Sequence, residues 1–203
     1  MRPTLADAAV SRARRGAVSA VAFVLAMVCA VPLGLADRVD GKLEAAVHLK
    51  VLGYDRGLKK RGNPTRLVIG VLYIPGGDSE KVEKEMVAAF RDMAKQLKIQ
   101  GLPVDVVAIP YKADTLAADL ASAGVNIVYV SPGLEGERAK IHAAAASRGA
   151  ATICSDREMV KQGIAIGVFL KDKRAAIAVN IKAARALGMD LDSALFSVAE
   201  VFK

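Results

Sequence analysis

Between residues 66 and 154, four short apolar runs alternate with longer stretches of helical character: RLVIGVLYI (66–74), VDVVAIPY (104–111), VNIVYVS (125–131) and ATIC (151–154). A strand that is apolar nearly throughout is covered on both faces, as in a parallel sheet sandwiched by helices. The stretches between supply those helices. Val82, Met86, Phe90, Met93 and Leu97 form one stripe on a helix predicted over about 79–98, with Asp78 placed to cap it. Residues 113–123 and 136–148 predict two more helices, closed by Gly124 and Gly149. The alternation predicts an α/β fold, a three-layer sandwich with a mostly parallel central sheet.

The two ends differ from this pattern. IAIGVFL (164–170) and AAIAVN (175–180) flank KDKR, which predicts a C-terminal antiparallel hairpin at the sheet edge. Lys171, Lys173 and Arg174 fall at its tip, a wet turn or a contact for an acidic partner. IKAARAL and DLDSALFSVAEVF predict two final helices capped by Asn180 and Asp190. Upstream, Leu43, Val47 and Val51 share one face of a helix over 42–52, and the glycine-rich basic stretch 53–65 reads as a loop. The predicted organisation is a leader (1–36), an N-terminal helix and loop (37–65), and a single α/β domain (66–203) on which the first helix packs.

Arg12, Arg14 and Arg15 precede an uncharged stretch, residues 17–36, which closes on Gly34-Leu35-Ala36. That order marks a secretory signal peptide. An uncleaved anchor is the alternative, because about 20 apolar residues can span a bilayer. A lipoprotein is disfavoured by Val28 before Cys29. Of 29 basic and 21 acidic side chains the leader holds four and one, leaving 25 and 20 and a net of +5. A mild positive charge without a basic run or aromatic platform excludes a nucleic-acid reading. Cys154 is the only cysteine after the leader, so the exported chain forms no internal disulfide.

Cys154, Ser155 and Asp156 stand side by side and pose the question of catalysis. A cysteine nucleophile needs a histidine base. The two histidines, His48 and His142, lie in other predicted helices with no motif around them. Ser155 and Asp156 sit where a strand gives way to a helix, and such residues satisfy the free N–H groups of a first turn. YIPGGDSEK (73–81) is neither a G-x-G-x-x-G nor a G-x-x-x-x-G-K-S/T phosphate loop. One cysteine and two distant histidines give no metal-ligand spacing. Asp190 and Asp192 lie at a helix start, where acids belong. No catalytic, metal or cofactor-binding residue is assigned, and the chain reads as a non-enzyme without cofactors.

The C-terminal third resembles the YfiR/HmsC-like family of periplasmic proteins. Its Ser-Asp pair, glycine turn, strand ending in Asn, and following Gly and Ser are matched by Ser155, Asp156, Gly163, Ile164, Asn180, Ala184, Gly188, Ser193, Leu195 and Ala199. VNIVYVS and EAAVHLKV resemble further family segments, so the likeness spans most of 42–203. Val125 and Asn126 replace the family's usual Cys-His, Gln162 its first turn glycine and Met189 its leucine. The resemblance implies a periplasmic repressor that binds an inner-membrane diguanylate cyclase or similar sensor and lowers cyclic di-GMP. An outer-membrane lipoprotein would sequester it, and a homodimer is a further arrangement. The alternative is a periplasmic small-ligand-binding protein like one lobe of a transporter's solute receptor.

Overall fold

The computed structural model describes residues 38–61 and 65–203. The predicted signal peptide lies outside them.

The four apolar runs become β1 (Leu67–Tyr73), β2 (Val104–Pro110), β3 (Ile127–Val130) and β4 (Ala151–Cys154). With β5 (Ile166–Lys171), β6 (Arg174–Asn180) and β7 (Ala199–Phe202) they form one sheet in the order β2-β1-β3-β4-β5-β6-β7. The first five strands are parallel, and β6 is antiparallel to β5. The expected α/β architecture is therefore present. β1 and β3 are buried along nearly their whole length, as two-sided cover requires.

The helices are α1 (Gly41–Leu52), α2 (Asp78–Ala94), α3 (Leu116–Ser122), α4 (Arg138–Ala146), α5 (Arg157–Lys161), α6 (Ile181–Ala186) and α7 (Ser193–Phe196). Right-handed crossovers decide their side of the sheet. The β1–β2 and β2–β3 connections run in opposite directions along the sheet, which puts α2 on one face and α3 on the other. α1 packs against α2 and β5, while α3 packs against α4.

Several local expectations change. The predicted hairpin is present, and Asp172 and Lys173 turn it with φ of 50° and 61°. Such a two-residue left-handed turn matches the twist of the strands it joins. The hairpin is not the edge, however. DLDSALFSVAEVF gives only the four-residue α7 and then β7, which pairs parallel with β6. Left as an edge, β6 would expose a row of unpaired backbone groups, and β7 covers them. Asp192, not Asp190, caps α7, accepting from Ala194 N at 2.9 Å. Asp78 is the first residue of α2 and takes Lys81 at 2.9 Å, and Gly77 precedes it without a side-chain cap.

The first helix also departs from its pattern. Leu43 is 49% exposed, whereas Glu44 and His48 are fully buried with Leu49, Val51 and Leu52. The loop 53–61 is not free either. Asp55, fully buried, accepts from Gly57 N and Asp190 N, each at 2.9 Å, and pairs with Arg61. Arg61 also donates to the carbonyls of Gly149 at 3.3 Å and Leu187 at 3.2 Å. Burial lowers the Arg61 pKa despite the facing carboxylate. One ion pair thus ties three distant segments together.

Candidate functional site

Strand β4 ends on Cys154, and Asp156 then turns the chain into α5, its carboxylate accepting from Met159 N at 2.7 Å. Asp156 is therefore the cap, and Ser155 is not. The register Val130↔Cys154, carried one step further, sets Ser155 beside Ser131 at the carboxyl end of the sheet. Both hydroxyls share the face of Tyr129, two residues before Ser131, and Ser155 lies within hydrogen-bonding reach of the Tyr129 phenol.

Cys154 points to the opposite face. It is fully buried, and its thiol donates to the carbonyl of Asp156 at 3.2 Å. Burial pushes that thiol far above its ordinary pKa. A thiolate is the reactive form, so a proton held this firmly leaves the sulfur inert. In the native protein at neutral pH, Cys154 is expected to resist a thiol-specific chromogenic reagent, and to react fully once denaturant is added. Stoichiometric labelling of Cys154 itself in the native chain, located by peptide mapping, would contradict this placement.

Behind Ser155 is a buried polar cluster that the sequence pattern concealed. Tyr129 donates to Glu44 Oε1 at 2.7 Å, and Arg38 donates to Glu44 Oε2 at 3.1 Å. His48 Nε2 stands 3.6 Å from Glu44 Oε1, and its ring meets Tyr129 edge-on at 5.9 Å between centroids. Burial, and next the charge of Glu44, raises the Tyr129 phenol well above its usual pKa. Among the described residues neither ring nitrogen of His48 nor Ser131 Oγ makes a hydrogen bond.

In front of Ser155 lies a cavity of about 510 Å³, lined by Ser155, Asp156, Arg157, Phe169, Lys171 and Glu200 among others. It brings the Ser155-Asp156 pair together with Lys171. Lys173 and Arg174 stay on the exposed turn and do not line it. Glu200 does not stand out in the sequence, because its segment reads as helix. Arg157 Nε donates to Glu200 Oε2 at 2.9 Å, a second guanidinium nitrogen reaches Oε1, and the guanidinium carbon stands 5.3 Å from the centre of the Phe202 ring. The Arg157 hydrogen bonds hold the Glu200 carboxyl below its ordinary range. Arg157 and Glu200, two of the charged side chains lining the cavity, are thus paired with each other.

The remaining motif residues lie in the scaffold. Asn180 accepts from Ala183 N and donates to the carbonyl of Val160, each at 2.9 Å, so one amide caps α6 and holds α5. Gly163 has φ of 121° and Gly188 of 72°, left-handed conformations that a side chain would strain. Ser193 opens α7 beside its cap, Asp192. In the 73–81 turn, Glu80 folds back to accept from Gly76 N at 2.8 Å and fills the place an anion would take. His142 lies half-buried on α4. Among the described residues no group of three His, Cys, Asp or Glu side chains converges as metal ligands.

The YfiR/HmsC-like family profile matches residues 42–200, nearly the whole described chain. The chain belongs to the YfiR/HmsC-like family. The match runs from α1 into β7 and includes the Ser155-Asp156 pair and the cavity. No curated protein sequence matches the chain. Among solved structures, a conserved domain protein from Vibrio cholerae is similar with a TM-score of 0.56 and 13% identity, over 78% of this chain and 60% of that one. An ABC domain in complex with L-Trp from Streptococcus pneumonia is similar with a TM-score of 0.53 and 16% identity, over 81% and 60%. A substrate-binding protein with adhesive properties from Clostridium difficile follows at 0.51 and 17%, over 72% and 57%. This YfiR/HmsC-like chain therefore spans about 60% of the length of the structures it matches. At these identities the likeness is one of fold.

Proposed function

We propose that the chain is a non-catalytic periplasmic regulator of the YfiR kind, acting by protein–protein contact on an inner-membrane cyclic di-GMP signalling protein. The family match over residues 42–200 carries this reading. The reactive-looking side chains support it: the Cys154 thiol is fully buried, with its pKa raised by that burial, and Asp156 caps a helix. Residues 1–36 serve as the leader that delivers it, and no helix among the described residues is long and apolar enough to cross a membrane.

The exposed cations Lys173 and Arg174, with Lys171 at the cavity rim, form the contact for an acidic patch on the sensor. Binding one state of that sensor withdraws it from the signalling state, in proportion to the difference in affinity between the two. An outer-membrane lipoprotein that competes for the regulator would release the sensor.

Deleting the gene is expected to raise cellular cyclic di-GMP several-fold. The wild-type gene should restore the level, and a triple variant, K171E/K173E/R174E, should not. An unchanged level, with no membrane partner captured by cross-linking, would overturn the proposal. So would turnover of a substrate that disappears in Cys154→Ala with folding intact.

A further inference from the structure

The Arg61 hub gathers cations that the regulatory reading does not use. Its guanidinium reaches the carbonyls of Gly149 and Leu187, and Gly188 lies so near that a Cβ there would stand 3.5 Å from Arg61 Cδ. Lys59 and Lys60 precede it in the same 3₁₀ turn, Arg148 precedes Gly149, and on α6 Lys182 stands near the start and Arg185 two residues before Leu187. All five are exposed, and none has an ion-pair partner among the described residues. The carboxylates nearby are Asp55, buried and committed to Arg61, and Asp190.

Cations are favoured at helix C-termini, which accounts for Arg148 and Arg185 singly. It does not account for Lys59 and Lys60, which come from a separate segment to the same place. Nor does the surface carry an exposed large apolar side chain of the kind that anchors many protein interfaces. Among the described residues the exposed large apolar side chains are Leu43, Ile74, Leu97 and Val198, none of them in these segments. A face whose exposed charges are mostly cationic, with Asp190 as its exposed carboxylate, fits a diffuse anionic surface, to which each basic side chain contributes independently.

We infer that this face binds the headgroups of an anionic phospholipid bilayer, on the strength of Lys59, Lys60, Arg148 and Arg185 standing exposed and without ion-pair partners on the three segments that Arg61 joins. The inference goes beyond the regulatory reading and does not require it, because lipid binding needs no protein partner.

The test is sedimentation of the full chain with vesicles of phosphatidylglycerol in phosphatidylcholine, and with phosphatidylcholine alone. The variant K59E/K60E/R148E/R185E carries the same leader, so the leader's own affinity cancels in the comparison. Circular dichroism checks its fold, and the milder K59Q/K60Q serves if it fails. At about 1 kcal/mol, or roughly fivefold, per basic side chain, the quadruple variant is expected to lose about a hundredfold or more of its preference for anionic vesicles. K59Q/K60Q should lose at least about tenfold. The wild-type preference should fade between about 0.1 M and about 1 M salt, as screening shortens from about 10 Å to about 3 Å. Equal preference in wild type and variant, or none at low salt, overturns the inference. Absence of vesicle binding alongside variant-sensitive cross-linking to an acidic protein assigns the face to that protein instead, and overturns it too.

Discussion

Asp55→Ala is expected to destabilise the protein by about 3–5 kcal/mol, the cost of stranding one member of a buried ion pair. The carboxylate is fully buried and accepts from Gly57 N, Asp190 N and Arg61. Its removal leaves two amides and a guanidinium without their acceptor, and the guanidinium is already disfavoured by burial. For a domain of this size the melting temperature should fall by about 10 °C. Arg61→Ala should cost as much, because it strands the carboxylate. The double variant should cost much less than the sum of the two singles, since each change removes the same interaction. Thermal denaturation of all three proteins measures this. Additive losses would show that the pair does not hold the segments as the geometry requires.

Glu44→Ala is expected to cost about 3 kcal/mol by the same reasoning, because it removes the buried acceptor shared by the Arg38 guanidinium and the Tyr129 hydroxyl and leaves Arg38 only the half-exposed Glu85, at 3.7 Å, as an ion-pair partner. Tyr129→Phe keeps the ring contacts with His48 and Phe90 and removes only the hydroxyl, at about 1–2 kcal/mol. The two are also distinguished by pH. The Tyr129 phenol is raised above its ordinary value of 10 by burial and by Glu44, so the folded state holds a proton that the unfolded chain releases. Stability from this source is complete below about pH 10 and is lost as the pH rises toward the folded-state value. Urea melts from pH 8 upward should show wild-type stability falling above about pH 10, with a shallower fall in Tyr129→Phe. The remaining slope belongs partly to Tyr111, which burial, and next its hydrogen bond to Glu137, raises to about 12. Identical alkaline slopes would remove Tyr129 as the source.

These two clusters mark where local pattern stops being informative. The spacing of Leu43, Val47 and Val51 suggests one face of α1, yet the helix buries Glu44 and His48. A glutamate normally belongs on the wet side. It turns inward here because Arg38 and the Tyr129 hydroxyl, the latter 85 residues away, meet it there. The glycine-rich loop likewise hides a core carboxylate whose partners come from residues 57, 61 and 190. The partners that decide burial, Tyr129 for Glu44 and Asp190 for Asp55, lie far outside any local window of sequence.

The strands and helices between residues 66 and 180, the hairpin, and the helix-capping roles of Asp156 and Asn180 are legible in the chain itself. Each follows from the neighbours of a residue along the sequence: side-chain period, β-branching, and the need of a first helical turn for an acceptor. That residues 199–202 extend the sheet emerges only in the folded molecule, since a four-residue segment takes whatever form its surroundings complete, and β6 offered an open edge. With that strand came Glu200, its pairing with Arg157, and the wall of the cavity before Ser155. Burial of a polar group is settled by partners distant in sequence, which is why the layered fold could be read from the chain and the polar clusters within it could not.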